Sequence, residues 1–140
     1  MTADTTDVDT AARTGGCLCR QLRFRATGEP DYPHTCSCRH CQHLGGGPMM
    51  SWVSFPLTGF SWWAGSEPSW YYTFEGETKR GFCPNCGTQV CALDDDGDSI
   101  AITLSALDSA DDLTPVNQSF RDDAVSWLPQ VPDTRHSAVG

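Results

Sequence analysis

Polar and apolar residues alternate over residues 21–26 (QLRFRA), the two-residue period of a strand with one buried face. Four further runs, residues 51–55, 69–74, 88–93 and 99–104, are short and rich in Val, Ile, Thr and aromatic side chains, and they too read as strands. Turn-forming residues separate them at short intervals: Gly28-Glu-Pro30, Gly45-Gly-Gly-Pro48, residues 56–59, Glu75-Gly76 and residues 94–98. This punctuation suits antiparallel hairpins. No stretch sustains apolar spacing at the helical period, so helix is expected to be scarce, confined to one short turn over residues 39–44. After Asp108 the chain reads as irregular, with Pro115, Pro129 and Pro132 restricting helix. The expected fold class is mainly β, built of antiparallel hairpins with little helix.

Length then sets the scale. A chain of 140 residues fits one domain, with residues 1–14 and 135–140 expected to be polar tails around a body spanning 15–134. A body of that size buries enough apolar surface to fold alone only by a small margin, so metal crosslinks would add usefully to its stability.

The formal charge of −9 argues against nucleic acid, because phosphate binding needs clustered Lys and Arg. No apolar run is long enough to span a bilayer, and the opening MTADTTDVDT lacks the basic start and apolar stretch of a signal peptide. The expected compartment is therefore the cytoplasm, with no membrane partner. In a reducing compartment, eight cysteines point to metal rather than to disulfides.

Their spacing supports that reading: Cys17 and Cys19 form CxC, Cys36, Cys38 and Cys41 form CxCxxC, Cys83 and Cys86 form CxxC, and Cys91 stands alone. Structural zinc takes four tetrahedral ligands, commonly as two short cysteine pairs brought together by the fold. Cys83-Pro-Asn-Cys86-Gly87 is half of such a site, with Gly87 free to adopt the positive φ that turns the following amides toward sulfur. Cys17 and Cys19 supply the other pair, provided Gly15 and Gly16 let the backbone bend. The remaining Cys36, Cys38 and Cys41 can place three thiolates on one metal and leave a fourth position open, the pattern that separates catalytic from structural zinc. Cys91, or one of His34, His40 and His43, could instead close that position and make a second structural knuckle. The commoner role for Cys91, within TQVCAL, is a buried inert thiol, and the histidines lie in a polar stretch. The acidic residues 94–98 lack the ligand spacing and closing Glu of a calcium loop and read as a solvated turn.

Taken together, GGCLCRQLRF, CSCRHCQHLGG, SWVSF, KRGFCPNCGTQV and LSALD resemble the glutathione-dependent formaldehyde-activating enzyme family, which includes centromere protein V, over roughly residues 15–132. The resemblance implies a β-tent fold stapled by two zinc ions, a structural one on Cys17, Cys19, Cys83 and Cys86 and a catalytic one on Cys36, Cys38 and Cys41. It implies a carbon–sulfur lyase of the S-(hydroxymethyl)glutathione synthase type, joining a thiol such as glutathione to formaldehyde or a related small electrophile. Where many members have a histidine after the late proline, this chain has Asn117 and Gln118.

Three cysteinates leave a zinc centre formally at −1, less electrophilic than a histidine-rich site, so the expected chemistry is a zinc-held thiolate adding to an aldehyde carbon. Arg39, Lys79 and Arg80 lie beside cysteine motifs and are candidate contacts for the carboxylates of a glutathione-like ligand. Among the aromatics, most are expected in the core, with Trp52 the pocket candidate because it follows the CxCxxC segment closely. The competing class is a non-catalytic zinc-stabilised β module that binds a partner protein.

Overall fold

The structure, a computed structural model, describes residues 12–63, 65–73 and 76–135. It is mainly β, with ten strands and one short helix among these residues. A three-stranded sheet pairs β1 (Arg13–Gly16) with β2 (Arg23–Ala26) and β2 with β5 (Phe60–Trp62). In the seven-stranded sheet, β10 (Gln118–Ser119) is followed by β3 (Asp31–Cys36), β4 (Met50–Pro56), β9 (Ser99–Thr103), β8 (Gln89–Asp94), β7 (Thr78–Phe82) and β6 (Ser69–Tyr72). All pairings are antiparallel except β10 with β3, a parallel pair outside the expected hairpin pattern. Helix α1 (Arg39–Gly45) fills the expected short turn and ends at Gly46.

Register explains the two faces of the large sheet. Val53 pairs with Ile102, which pairs with Cys91, which pairs with Gly81, and this row faces the main core. There Val53, Phe55, Ile100 and Ile102 meet Phe24 of the small sheet, whose ring stacks on Phe60 at 5.3 Å and meets Trp62 edge-on at 5.8 Å. Each such fully buried side chain contributes about 1.5–3 kcal/mol. The next row, Ser54, Ala101, Ala92 and Arg80, points the other way, as do Trp52 and His34 on neighbouring pairs. Two alanines in the middle of that row leave a shallow floor, and Trp52, Cys36 and Cys41 build a separate small cluster above it.

Strand β1 begins at Arg13, two residues inside the stretch expected as tail. Gly15 and Gly16 do not bend the chain; both lie within β1, and neither has a positive φ. They are needed for close approach, since a Cβ on Gly16 would sit 1.9 Å from the carbonyl oxygen of Leu22. Cys17 and Cys19 are brought together in a turn closed by the Arg20 N–H, which donates to the Cys17 carbonyl at 3.1 Å, and Arg20, at φ 72°, then directs the chain toward β2.

Candidate metal and catalytic centre

The sulfur atoms of Cys17, Cys19, Cys83 and Cys86 lie within 4.8 Å of one another. Cys17 and Cys19 are 3.6 Å apart and Cys19 and Cys83 3.7 Å. Tetrahedral zinc with Zn–S bonds of about 2.3 Å separates its sulfurs by about 3.8 Å, and these two distances match that spacing. Backbone and side-chain donors converge on the same atoms: Leu22 N–H on Cys17, Asn85 Nδ2 on Cys19 and Cys86 N–H on Cys83. Gly87, at φ 83°, turns its own N–H back onto the Cys83 carbonyl at 2.8 Å. The Thr88 hydroxyl, 3.1 Å from Cys86, is the first cause that lowers the Cys86 thiol to about 5, while burial lifts Cys83 to about 11.

The second group is Cys36, Cys38 and Cys41, again within 4.8 Å of one another. It is assembled from the end of β3 and the start of α1. Cys38 is the helix N-cap, its sulfur accepting the Cys41 N–H at 3.4 Å, and this local geometry brings two thiols of CxCxxC to one point. Neither Cys91 nor any described histidine nitrogen joins the group. Cys91 is buried in the main core, where desolvation pushes its thiol up to about 12. His43 is exposed on α1 and bonded to Arg39, and His40 lines the cavity beside the thiols. The Nδ1 of His34 lies 2.8 Å from the Tyr32 carbonyl, which can only accept, so this nitrogen carries the proton and Nε2 is left as an acceptor. Burial holds His34 below its ordinary value, so the ring is neutral at pH 7.

Cys36, Cys38 and Cys41 open into a cavity of about 440 Å³. Its walls include Trp52, His34, Arg80 and Phe120, and Ala101 contributes to its floor. Arg80, 8% exposed, donates through Nη2 to the Cys41 sulfur at 3.7 Å and stacks over Trp52 at 5.3 Å. Cys36 and then Arg80 lower the Cys41 thiol to about 5, and the Cys36 thiol beside it is raised in turn.

Of the cations singled out in the sequence, Arg80 alone reaches this cavity. Arg39 lies on the outer side of α1, bonded to Gln42 and His43, and lines a neighbouring cavity with Tyr71 and Tyr72. Lys79 faces away from Arg80 and sits 4.6 Å over Trp70. Asn117 does not line the cysteine cavity; it donates to the Tyr32 hydroxyl and accepts from Arg121. Phe120 is a wall residue that the sequence reading passed over, since nothing in SFRDD marks it beyond an isolated aromatic.

The sequence profile described as glutathione-dependent formaldehyde-activating enzyme matches residues 12–123. The chain belongs to this family. The matched segment runs from the start of β1 past both cysteine groups and through Phe120, so the family region contains the whole of the geometry described above. Among solved structures, the chain is similar to a Rhodobacter sphaeroides protein at 18% identity and a TM-score of 0.58, over 76% of this chain and 99% of that one. At that identity the likeness concerns the fold. Among curated proteins, none matches the chain. Family membership and the two cysteine groups together indicate a metal-binding, formaldehyde-activating type of protein.

Proposed function

We propose that the chain is a zinc-dependent carbon–sulfur lyase acting in the synthetic direction, with Cys17, Cys19, Cys83 and Cys86 holding a structural ion and Cys36, Cys38 and Cys41 a catalytic one. The observation that carries this reading is the contrast in completeness: four thiols in one group, three in the other, and the three at the wall of a cavity. An ion held by Cys36, Cys38 and Cys41 would supply an open coordination position that lowers the pKa of an incoming thiol.

The chain's own residues do the rest. Arg80 places a fixed positive charge against Cys41 and so offsets part of the excess negative charge that three cysteinates create. Its burial against Trp52 holds that charge in one geometry, so it needs no reorientation during reaction. Neutral His34 lines the same cavity, and its Nε2, free of the proton that Nδ1 carries, serves as the acceptor for the thiol proton. In the reaction, the thiol sulfur forms a bond to the aldehyde carbon, the carbon–oxygen π bond opens, and the proton lost from sulfur ends on the new hydroxyl. The product with glutathione and formaldehyde is S-(hydroxymethyl)glutathione.

Purified zinc-loaded protein, mixed with formaldehyde and glutathione or another biological thiol, should accelerate adduct formation as read by exchange-resolved NMR. A chelator should abolish the acceleration. Rates equal to the uncatalysed addition for every thiol tested would reject the enzymatic reading in favour of a non-catalytic zinc module.

A further inference from the structure

Phe120 occupies the left-handed region at φ 54°, a conformation that a bulky L side chain adopts at an energetic cost. Such a residue persists only where its neighbours fix it from both sides. Ser119 is pinned on the chain's N-terminal side: it pairs with Cys36, and its carbonyl accepts the Ser37 N–H at 3.0 Å. Gln118, fully buried, adds a bond from its Nε2 to the Ser37 hydroxyl. On the other side, the Asp123 carbonyl accepts Gln42 Nε2 from α1 at 3.0 Å. The strained residue is therefore suspended between the strand that carries Cys36 and the helix that carries Cys41.

The strain is not offset by packing. Phe120 is 63% exposed, and it lines the cavity of the three thiols as well as a neighbouring one shared with Arg121 and Asp133. An exposed aromatic held in an unfavourable backbone conformation at the mouth of a reactive cavity does little for the folded state in isolation. It presents a fixed apolar surface to whatever occupies the cavity.

We propose that Phe120 is a substrate-contacting residue whose ring packs over the carbon skeleton of the bound thiol, shielding the reacting sulfur from water and setting affinity for that thiol. This rests on the reading of Cys36, Cys38 and Cys41 as the catalytic site, and the test below separates the two.

The test uses Phe120→Gly, because glycine accepts a positive φ without steric cost while removing the ring. The full-length zinc-loaded protein is titrated with glutathione by calorimetry, melted by circular dichroism, and assayed with formaldehyde. The expected result is a melting temperature equal to or above the parent's, unchanged zinc content, and a glutathione dissociation constant raised about five- to tenfold, matching the loss of a part-covered aromatic surface. Phe120→Trp should keep the dissociation constant within about twofold of the parent, since it retains an aromatic face. Ring-dependent glutathione binding without turnover would uphold the contact and reject the reaction. Equal glutathione affinity in parent and Phe120→Gly, no glutathione binding by the parent, or a melting temperature lowered by about 10 °C or more in Phe120→Gly, which would make the residue a structural one, would each overturn the proposal.

Discussion

Cys17 and Cys83 are embedded in the main core beside Leu22, Val90 and Leu113, whereas Cys36 and Cys41 share a small separate cluster with Trp52. The same ligand chemistry thus sits in two mechanical settings. On one side of the large sheet, the four-cysteine group ties the CxC turn after β1 to the CxxC turn after β7; Cys17 and Cys83 are met by N–H donors from their own turns, and Cys19 by Asn85 from the other turn. On the other side, the three-cysteine group stands above the floor made by Ala92 and Ala101, with one buried cation against Cys41 and an open cavity beside it. What separates the two groups is the company of the thiols: hydrophobic neighbours and four cysteines in the first, a cavity and a charge partner in the second.

The sharpest way to break this comparison is to delete one ligand from each group. Cys83→Ser should give the largest effect, loss of the folded state, because structural zinc contributes about 10–16 kcal/mol in small metal-folded units. Circular dichroism would then show no cooperative melt at 25 °C, and a normally folded variant would contradict a stapling role. Cys38→Ser should instead keep the melt within about 5 °C of the parent while halving the zinc bound and removing turnover. Global unfolding of this variant would end the division between the two groups.

A smaller perturbation tests the charge partner. Arg80→Met should lower metal affinity at the three-cysteine group or kcat/KM by about 10–100-fold, the usual cost of losing a residue that supports a ligand. Lys79→Met, on the adjacent position but facing Trp70, should stay within about twofold in both. Equal losses in the two variants would make the effect one of general charge.

The smallest expected effect lies on the four-cysteine side, where Arg23 donates through both terminal nitrogens to Asp108, which also accepts from Thr14. Arg23, then Thr14, hold the Asp108 carboxyl down at about 2, below its ordinary 3.8. A depressed folded-state value stabilises above the unfolded one, and that contribution is lost as pH falls from about 4 through 2. With Asp108 44% exposed, the contribution is under about 1 kcal/mol. Asp108→Asn should therefore flatten the acid limb of thermal stability slightly between about pH 4 and 2 and leave glutathione binding unchanged.

Much of the two-centre arrangement was legible because cysteine spacing is a local property. CxCxxC leads into the start of a helix and CxxCG into a glycine turn, and neither depends on the rest of the chain to bring its thiols close. The strands read from alternation (β2) or from runs of Val, Ile, Thr and aromatic residues (β4, β6, β8 and β9) were visible for the same reason. Strands whose partners supply the reason for them were not. Strand β3 (DYPHTC) has no apolar alternation and carries Pro33 where the register shifts between Asp31 and His34; it exists because β4 and β10 pair with it. Strand β7 (TKRGF) reads as polar, yet Arg80 is buried because Cys41 and Trp52 lie across the fold from it. The bend in CxC came from the turn closed between Cys17 and Arg20 rather than from the glycines, and Phe120 became visible only as a backbone outlier beside a cavity.

The proposed pairing of one closed with one open site is tested most directly by X-ray absorption at the zinc edge, which reads both together. Protein carrying two zinc ions per chain should show an average of about 3.5 sulfur ligands per zinc at about 2.3 Å, with the balance made up by a light atom that exchanges for sulfur when glutathione is added. An average of about four sulfurs before any thiol is added, or a histidine scattering pattern in the light-atom shell, would contradict it.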